Sequence, residues 1–480
     1  MGVIDFLHSI AKGLPVIRPP EKPPSSKERI IWTGAALLMF FFMYNITCLG
    51  VVEKSTGGII TMLTGGGSID FLQTITASKL GSLITAGIGP IVLASIFLQL
   101  FVGAGLLKLD LKNKEDKQKF LEVQKIIAIL LAFAEGSVYV LGGSLPLDTG
   151  LFGLPLPALQ FIVILQIALG SVMVLYLDEI VTKYGIGSGV SLFIAAGVAL
   201  SIVSGLFYIL FGANGVISIL ATPGAESLPR AVLRLLPFFF MILVFLLCVY
   251  AEGVKVEIPI AFERVRGMVP KLPLKFFYVS NIPVIFASAL LMNIQLFSGG
   301  FLGNVDLPFI GYVVSNQLHD GILYFLTPVY APSGTYDTMA HWNFITGAVT
   351  PIYHIPEWVH AITYILFLSS VSILFGMFWV ETSGMDAKSV AEQLSSSGLQ
   401  IPGFRRDPRM LELILNKHIF PLTVMGSFAV GLLASVADLT GALGTGTGIL
   451  LAVGILYKMY EQMEQMQVFE MNPMLGKLIQ

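Results

Sequence analysis

Charge is what this chain has least of. Only 12% of its 480 residues are Asp, Glu, Lys or Arg, about half of the roughly 25% usual in soluble domains. A soluble fold could not cover a composition that is 55% apolar with so few charges, and a disordered chain needs the opposite balance. Lys plus Arg is 28 and Asp plus Glu is 30. That near-neutral sum gives no reason to expect nucleic acid or an acidic ligand. Cysteine is almost missing. Cys48 and Cys248 both lie in apolar runs, which excludes a disulfide framework. Catalytic signatures are missing too. No GxxxxGK(S/T) is present, so P-loop nucleotide hydrolysis is not encoded, and there is no HExxH. Glu357 and His360 have an ExxH spacing with His354 nearby. A metal site of that kind takes a second such set, so the pair reads as a loop-to-helix junction. The glycines of YGIGSG (Gly185, Gly187, Gly189) follow no strand and fail the context of a phosphate loop.

Long apolar runs are what remains. A helix needs about 20 apolar residues to cross a bilayer, and ten segments qualify: 30–52, 84–107, 126–145, 156–177, 190–211, 232–250, 276–297, 359–380, 419–439 and 444–459. Runs of this length select helices, since only helices and closed barrels satisfy the backbone in hydrocarbon. The first run follows a polar, Pro-rich stretch and is long enough to span, so no cleavable signal peptide is expected. Lys and Arg set the orientation. With an inside amino terminus, all of the 28 except Lys54, Lys79, Arg230 and Arg234 fall on the inside. Both termini are therefore expected in the cytoplasm of a multi-pass protein of the cell membrane.

Several connections are more than loops. After Gly65, Gly66 and Gly67 comes SIDFLQTITASKL. Ser68 is placed to cap a helix of about 18 Å, too short to cross. This is a candidate re-entrant helix; a flat interfacial helix fits the composition equally well. The stretch 298–358 is rich in Pro, Tyr and Gly and reads as a small external cap. The cytoplasmic connections 252–275 and 381–417 each carry five cations, more than topology alone requires. Long structured loops tend to be functional, and docking of a large partner is the reading. Within the spans Glu135 is costly unless it faces a polar cavity or a partner. The second run of each five-span half carries a proline, Pro90 in GIGPIV and Pro283 in SNIPVI. Interrupted helices at matching places point to inverted halves with a site between them.

Six strings taken together resemble one family. They are QTITASKLGSLITAGIGPIV, YLDEIVTKYGIGSGVSLFIAAGV, AEGVKVEIPIAF, KFFYVSNIPVI, FWVETSGMDAKSVAEQL and LTGALGTGTGILLAV. In this order they resemble the SecY family, the channel (alpha) subunit of the protein-conducting translocon, in its archaeal form. The likeness runs from Ile30 to about Gln462; the stretch 333–353 matches less well.

The resemblance implies an all-α membrane protein of ten transmembrane helices in two inverted five-helix halves around a central pore. A cytoplasmic segment (1–29) precedes the first half (30–211), which includes a short plug helix (69–80). The second half (232–459) includes the cytoplasmic loops 252–275 and 381–417 and the external loop 298–358, and a tail (460–480) follows. The plug is expected to present Ile69, Phe71, Leu72, Ile75 and Leu80. The constriction is expected to be a ring of Ile88, Val92, Val190, Ile194, Ile285 and Leu451. Glu135 and Asn293 match polar residues of a side gate toward lipid, between spans two and three and spans seven and eight. A further polar residue implied just after Val92 is Leu93 here. Arg264, Arg266, Lys271, Arg405 and Arg406 match a docking surface for a ribosome or another cytosolic motor. Partners implied are SecE/gamma-type and SecG/beta-type small membrane subunits, signal sequences, nascent polypeptides and lipid. No cofactor is implied, and the chain is not expected to be an enzyme.

Physics gives that ring a purpose. A channel for polypeptide cannot read side-chain chemistry, so its lining has to be nonspecific. A vacant apolar constriction excludes water and blocks ions. Ile88 and Val92 are four apart, as are Val190 and Ile194, so each pair shares a helix face. The alternative is a secondary transporter for a small solute, which shares inverted repeats but would carry polar or charged groups at mid-membrane. An intramembrane enzyme would need paired acids or a nucleophile and base within the spans.

Overall fold

The computed structural model describes residues 8–10, 13–22, 24–52, 77–103, 105–107, 109, 113–143, 145–148, 150, 153–212, 215–222, 227–259, 261–262, 271–302, 309–314, 317–329, 338–396, 399–400 and 408–471. Helices dominate. The first half contributes α1 (Ser26–Asn45), α2 (Gly89–Gly103), α3 (Lys114–Leu141), α4 (Leu156–Tyr184) and α5 (Gly189–Phe211). Two short helices, α6 (Val216–Ala221) and α7 (Ser227–Arg234), lead to α8 (Leu236–Gly253). The second half continues with α9 (Ile282–Leu302), the short α10 (Ile322–Phe325) and α11 (Thr338–Gly347), then α12 (Glu357–Thr382), α13 (Ala387–Ser396), α14 (Pro408–Leu439) and α15 (Gly446–Met471). Among the described residues six stretches are long and apolar enough to cross a membrane, and the helices at 89–103 and 282–295 are shorter apolar ones. The chain is a helical, multi-pass membrane protein. Each of the ten expected runs overlaps helix, with different ends, and the run at 232–250 crosses the break between α7 and α8.

Local chemistry explains the ends. Ser25 and Glu28 form a reciprocal capping box at α1, satisfying two backbone donors. The first run was expected to reach residue 52, but α1 stops at Asn45. The chain beyond it turns at Leu49 and Gly50, between bridges from Thr47 to Ser82 and from Val51 to Leu147. The second run was expected to be helical from 84. It turns until Gly89, where Pro90 occupies the second helical position, a place that needs no N–H partner. Asn113 caps α3 by accepting from the Glu115 N–H at 3.1 Å. α14 begins at Pro408, well before the apolar run, and carries Pro421 inside it.

Without a hydrophobic drive between helices in lipid, close approach through small residues supplies the packing. α12 and α14 show it in both directions. A Cβ on Gly376 would strike Ser427, and one on Gly431 would strike Ser369 and Ser372. Gly170 of α4 likewise admits the Leu83 backbone. Aromatic rings join other pairs. Phe40 of α1 stacks on Phe193 of α5 with centroids 4.8 Å apart, worth about 0.5–1.5 kcal/mol beyond area. Phe286 of α9 meets Phe375 and Trp379 of α12 edge-on. On α8, Phe239, Leu243, Phe245, Leu246 and Tyr250 point outward and exposed, as a lipid-facing surface would.

Three small antiparallel sheets sit off the bundle. β1 (Lys255–Pro259) pairs with β3 (Lys271–Lys275). β2 (Ala261–Phe262) pairs with β6 (Leu399–Gln400), so the loops 252–275 and 381–417 are joined to one another. β4 (Tyr312–Val314) pairs with β5 (Gln317–Asp320). Around that hairpin, the 298–358 stretch is held by a buried polar network. His360 faces Glu357 at 2.9 Å through Nδ1 and the Thr327 carbonyl at 2.7 Å through Nε2. The Tyr324 hydroxyl donates to Glu357 at 2.9 Å. The ExxH pair is thus a loop-to-helix junction, and no metal-ligating cluster occurs among the described residues.

Candidate functional site: an apolar waist and its seam

The six expected ring residues all belong to the main hydrophobic core, a cluster that runs through much of the helical bundle. Ile88, Val92, Ile194 and Leu451 are buried within it, and Val190 and Ile285 pack against it partly exposed. They arrive from α2 and the residue before it, α5, α9 and α15. Ile88 is not helical, as its four-residue spacing from Val92 had implied. It precedes α2, and its carbonyl accepts from the Ile91 and Val92 N–H groups at 3.0 and 3.1 Å. The pair still lies over one helix start, because a capping residue and the fourth residue after it share that side. Gly87 makes the approach at φ +56°, a conformation that costs glycine little. Val190 and Ile194 both lie in α5, one turn apart.

The two expected gate residues sit on α3 and α9. Glu135 of α3 is fully buried. Neither of its carboxylate oxygens has a hydrogen-bond partner among the described residues. It lies against the amino-terminal start of α2, where a Cβ on Gly89 would stand 2.9 Å from Oε2 and 3.3 Å from the Met292 Cε of α9. That start is the positive end of a helix dipole. Asn293 of α9 is buried, and its Nδ2 donates to the Ala289 carbonyl at 2.9 Å. Leu93, where a polar residue was implied, is buried and apolar. α2 packs on α3 and α9 on α12, and across the seam α2 meets both α9 and α12. At the far end of α2 a Cβ on Gly103 would stand 2.6 Å from Cδ1 of Phe378. The seam is therefore closed, with a glycine of α2 at each end.

The remaining expected residues are placed less fully. Of the plug, Ile69, Phe71, Leu72 and Ile75 lie outside the described residues. Leu80 was expected to end that helix, but 77–80 is a turn. Leu80 packs on a second cluster around Tyr139 and Ile167, not on the waist. Arg264, Arg266, Arg405 and Arg406 also lie outside the described residues, while the Lys271 backbone opens β3 opposite Pro259.

Comparison with known proteins settles the family. The SecY family model matches residues 82–460. The chain belongs to the SecY family. The protein translocase subunit SecY of Methanocaldococcus jannaschii is 41% identical over 474 residues, covering 98% of each chain. A solved structure of a protein-conducting channel aligns with a TM-score of 0.78 at 39% identity, covering 98% of this chain and 99% of that one. Sec61 in a canine ribosome-channel complex from the endoplasmic reticulum aligns at 0.75 and 39%, with the same coverage.

Three polar side chains around the waist escaped the sequence reading. Asp178, Asp438 and Asn281 each hold the start or the middle of a waist helix. One signal was available for the aspartates. A Gly-x-Gly-x-Gly run follows each of them, Gly185 to Gly189 just ahead of the fifth apolar run and Gly444 to Gly448 at the start of the tenth.

Proposed function

We propose that this SecY-family chain is the pore-forming subunit of a protein translocase, passing unfolded secretory polypeptide through a waist of six apolar side chains. The observation that carries the reading is full-length family membership, and the placement of Ile88, Val92, Val190, Ile194, Ile285 and Leu451 in or against the main hydrophobic core supports it. The chain is not an enzyme; translocation in this family is channel work, driven from outside the subunit. A vacant apolar constriction dewets and blocks ions. Branched side chains make no hydrogen-bond demands, so the same collar admits chains of any composition. Ten helices span, in inverted halves of five, and both termini face the cytoplasm. The recurrence of an aspartate, a glycine-rich turn and a glycine-opened helix in each half supports that repeat.

Substrate selection then falls to the seam. A signal sequence is an apolar helix and partitions from a parted seam into lipid. Glu135 and Asn293, beside the start of α2 and on α9, are the polar residues such a helix would displace. Segment 69–80 is the plug. The joined loops 252–275 and 381–417 form the docking surface for a ribosome or other motor, with Arg264, Arg266, Lys271, Arg405 and Arg406 as its cations. The relative in the canine ribosome-channel complex supports the ribosome, and the SecE/gamma-type and SecG/beta-type subunits follow from the family. The decisive test places a photo-crosslinker at Ile285 and offers an arrested secretory chain. Cross-links to the nascent chain are expected from Ile285 and not from lipid-facing Leu246. Equal labelling at both positions would end the reading.

A further inference from the structure

Two carboxylates occupy equivalent places in the two halves. Asp178, near the end of α4, accepts the N–H of Val190, the second residue of α5, at 2.8 Å. Asp438, near the end of α14, accepts the N–H of Thr447, the second residue of α15, at 2.8 Å. Each following helix opens on a glycine whose added Cβ would collide with the aspartate-bearing helix: Gly189 with Asp178, Gly446 with Ala437. Five positions beyond those glycines stand Ile194 and Leu451, both fully buried in the waist cluster. Each aspartate thus anchors a helix that delivers a waist residue.

The likeness then breaks. Oδ2 of Asp438 also accepts the hydroxyl of Tyr364 at 2.7 Å and that of Thr447 at 2.5 Å. Tyr364 is fully buried on α12, the helix whose Phe378 meets Gly103 across the seam. Asp438 therefore touches three helices: its own, the waist helix α15 and the seam helix α12. A second feature marks this junction. Thr445 enters α15 at φ +60°, a region a β-branched residue rarely adopts. Such a backbone persists only where its surroundings hold it, and the bonds of Asp438 to Thr447, two residues on, supply that hold.

We propose that Asp438 is a positioning residue that couples the seating of Leu451 in the waist to the position of α12 at the seam. The proposal rests on the waist-and-seam reading above. With α12 against α2, the Tyr364 hydroxyl completes the ligation of Asp438, Thr447 is held and Thr445 stays strained. Movement of α12 away from α2 withdraws the hydroxyl. The hold on Thr447 weakens, Thr445 relaxes and the start of α15 shifts, carrying Leu451 from the waist. Coupling of this kind is reciprocal: a polypeptide that displaces Leu451 loosens α12 in turn.

The test uses the full-length chain in lipid with two readouts. Oxidative cross-linking of Gly103→Cys with Phe378→Cys reports the seam, and ion conductance in planar bilayers reports the waist. Tyr364→Phe removes one hydroxyl and leaves the bonds of Asp438 to Thr447 in place. It is expected to slow cross-linking and raise leak conductance together, each by roughly tenfold for one charge-assisted hydrogen bond. Asp438→Asn should do the same, and the double variant should add little. Thr445→Gly, which removes the strain, should shrink the effect of Tyr364→Phe on leak. Ile285→Gly is the control for the waist. If it leaks while Tyr364→Phe lowers only the unfolding temperature and moves neither readout, Asp438 is merely structural and the coupling is wrong. If Ile285→Gly does not leak, the waist reading fails and the coupling falls with it.

Discussion

Nδ2 of Asn281 donates to the Leu450 carbonyl at 2.9 Å, pinning the start of α9 against the upstream neighbour of Leu451. The backbone carbonyl of Asn281 in turn accepts from the Ile285 N–H at 3.1 Å. One buried residue thus links the start of α9 to α15, by its side chain to the neighbour of Leu451 and by its backbone to Ile285. Gly454 makes room for it, since a Cβ there would strike the amide and stand 2.9 Å from Glu252 Oε1. Asn281→Ala removes the donor and is expected to cost about 1–2 kcal/mol in detergent unfolding, with a rise in ion leak. Asn281→Asp should be worse than Ala, because a second carboxylate would face Glu252. Leak equal to the parent in both variants, despite lower stability, would show that Asn281 supports the fold without setting the waist.

Truncation of the collar itself gives the most direct readout. Ile88→Gly and Ile285→Gly each remove a branched side chain from the waist cluster. For a fully buried position such as Ile88, large-to-small changes cost about 2–5 kcal/mol, so folding is checked first by size exclusion. The folded variants are expected to conduct small ions in planar bilayers where the parent does not, and the pair should conduct more than either alone. Conductance indistinguishable from the parent would place the seal elsewhere.

The helices were legible in the sequence because apolar runs of spanning length have few alternatives in lipid. Their ends were not. The run at 84–107 is apolar from its first residue, and only Pro90 with Gly87 hints that the helix begins at Gly89. The run at 419–439 misses the polar start of α14 at Pro408, since a helix that continues into water keeps its form and loses its hydropathy. The waist positions could be named because long strings resembled a family, and the structure places all six in or against the main hydrophobic core. What held them in place stayed hidden. Asn281 acts across 169 positions of chain, and nothing local in sequence marks which carbonyl it will meet; Asp178 and Asp438 act 12 and 9 positions on, where the glycine runs were the one local mark. The pairing of β2 with β6 escaped for the same reason: two two-residue strands carry no pattern of their own.

Gly103 and Phe378 hold the seam shut by shape. A Cβ at 103 would fall 2.6 Å from the Phe378 ring, too close for any side chain unless the ring turns away or α2 and α12 part. Gly103→Val is therefore expected to wedge the seam and raise the rate at which a signal sequence enters it. That rate is readable as cross-linking of a photo-labelled signal peptide to α2. Phe378→Ala alone should have a smaller effect, and together with Gly103→Val it should return the rate toward the parent value. Additive effects would mean that the two residues do not share one contact.

Asp320 gives a pH prediction outside the membrane spans. Its side chain, at the end of β5, is fully buried. Oδ1 accepts from the Gly321 N–H at 2.8 Å, and Oδ2 from the Ile352 and Tyr353 N–H groups at 2.9 Å each. Burial works to raise its pKa, but the backbone donors of Tyr353, Gly321 and Ile352 outweigh it and hold the carboxyl below its ordinary value. A group whose folded value is depressed stabilises above its unfolded value, about 3.9 for aspartate, and that contribution fades as pH falls through the lower folded value. Amide exchange at Ile352 and Tyr353 should therefore stay slow down to about pH 4 and speed up only below it, after correction for the intrinsic rate. Asp320→Ala leaves three N–H groups without their acceptor, so the same amides should exchange fast at neutral pH and lose the acid transition. Protection unchanged in Asp320→Ala would mean that the 298–358 stretch is held by the His360, Glu357 and Tyr324 network alone.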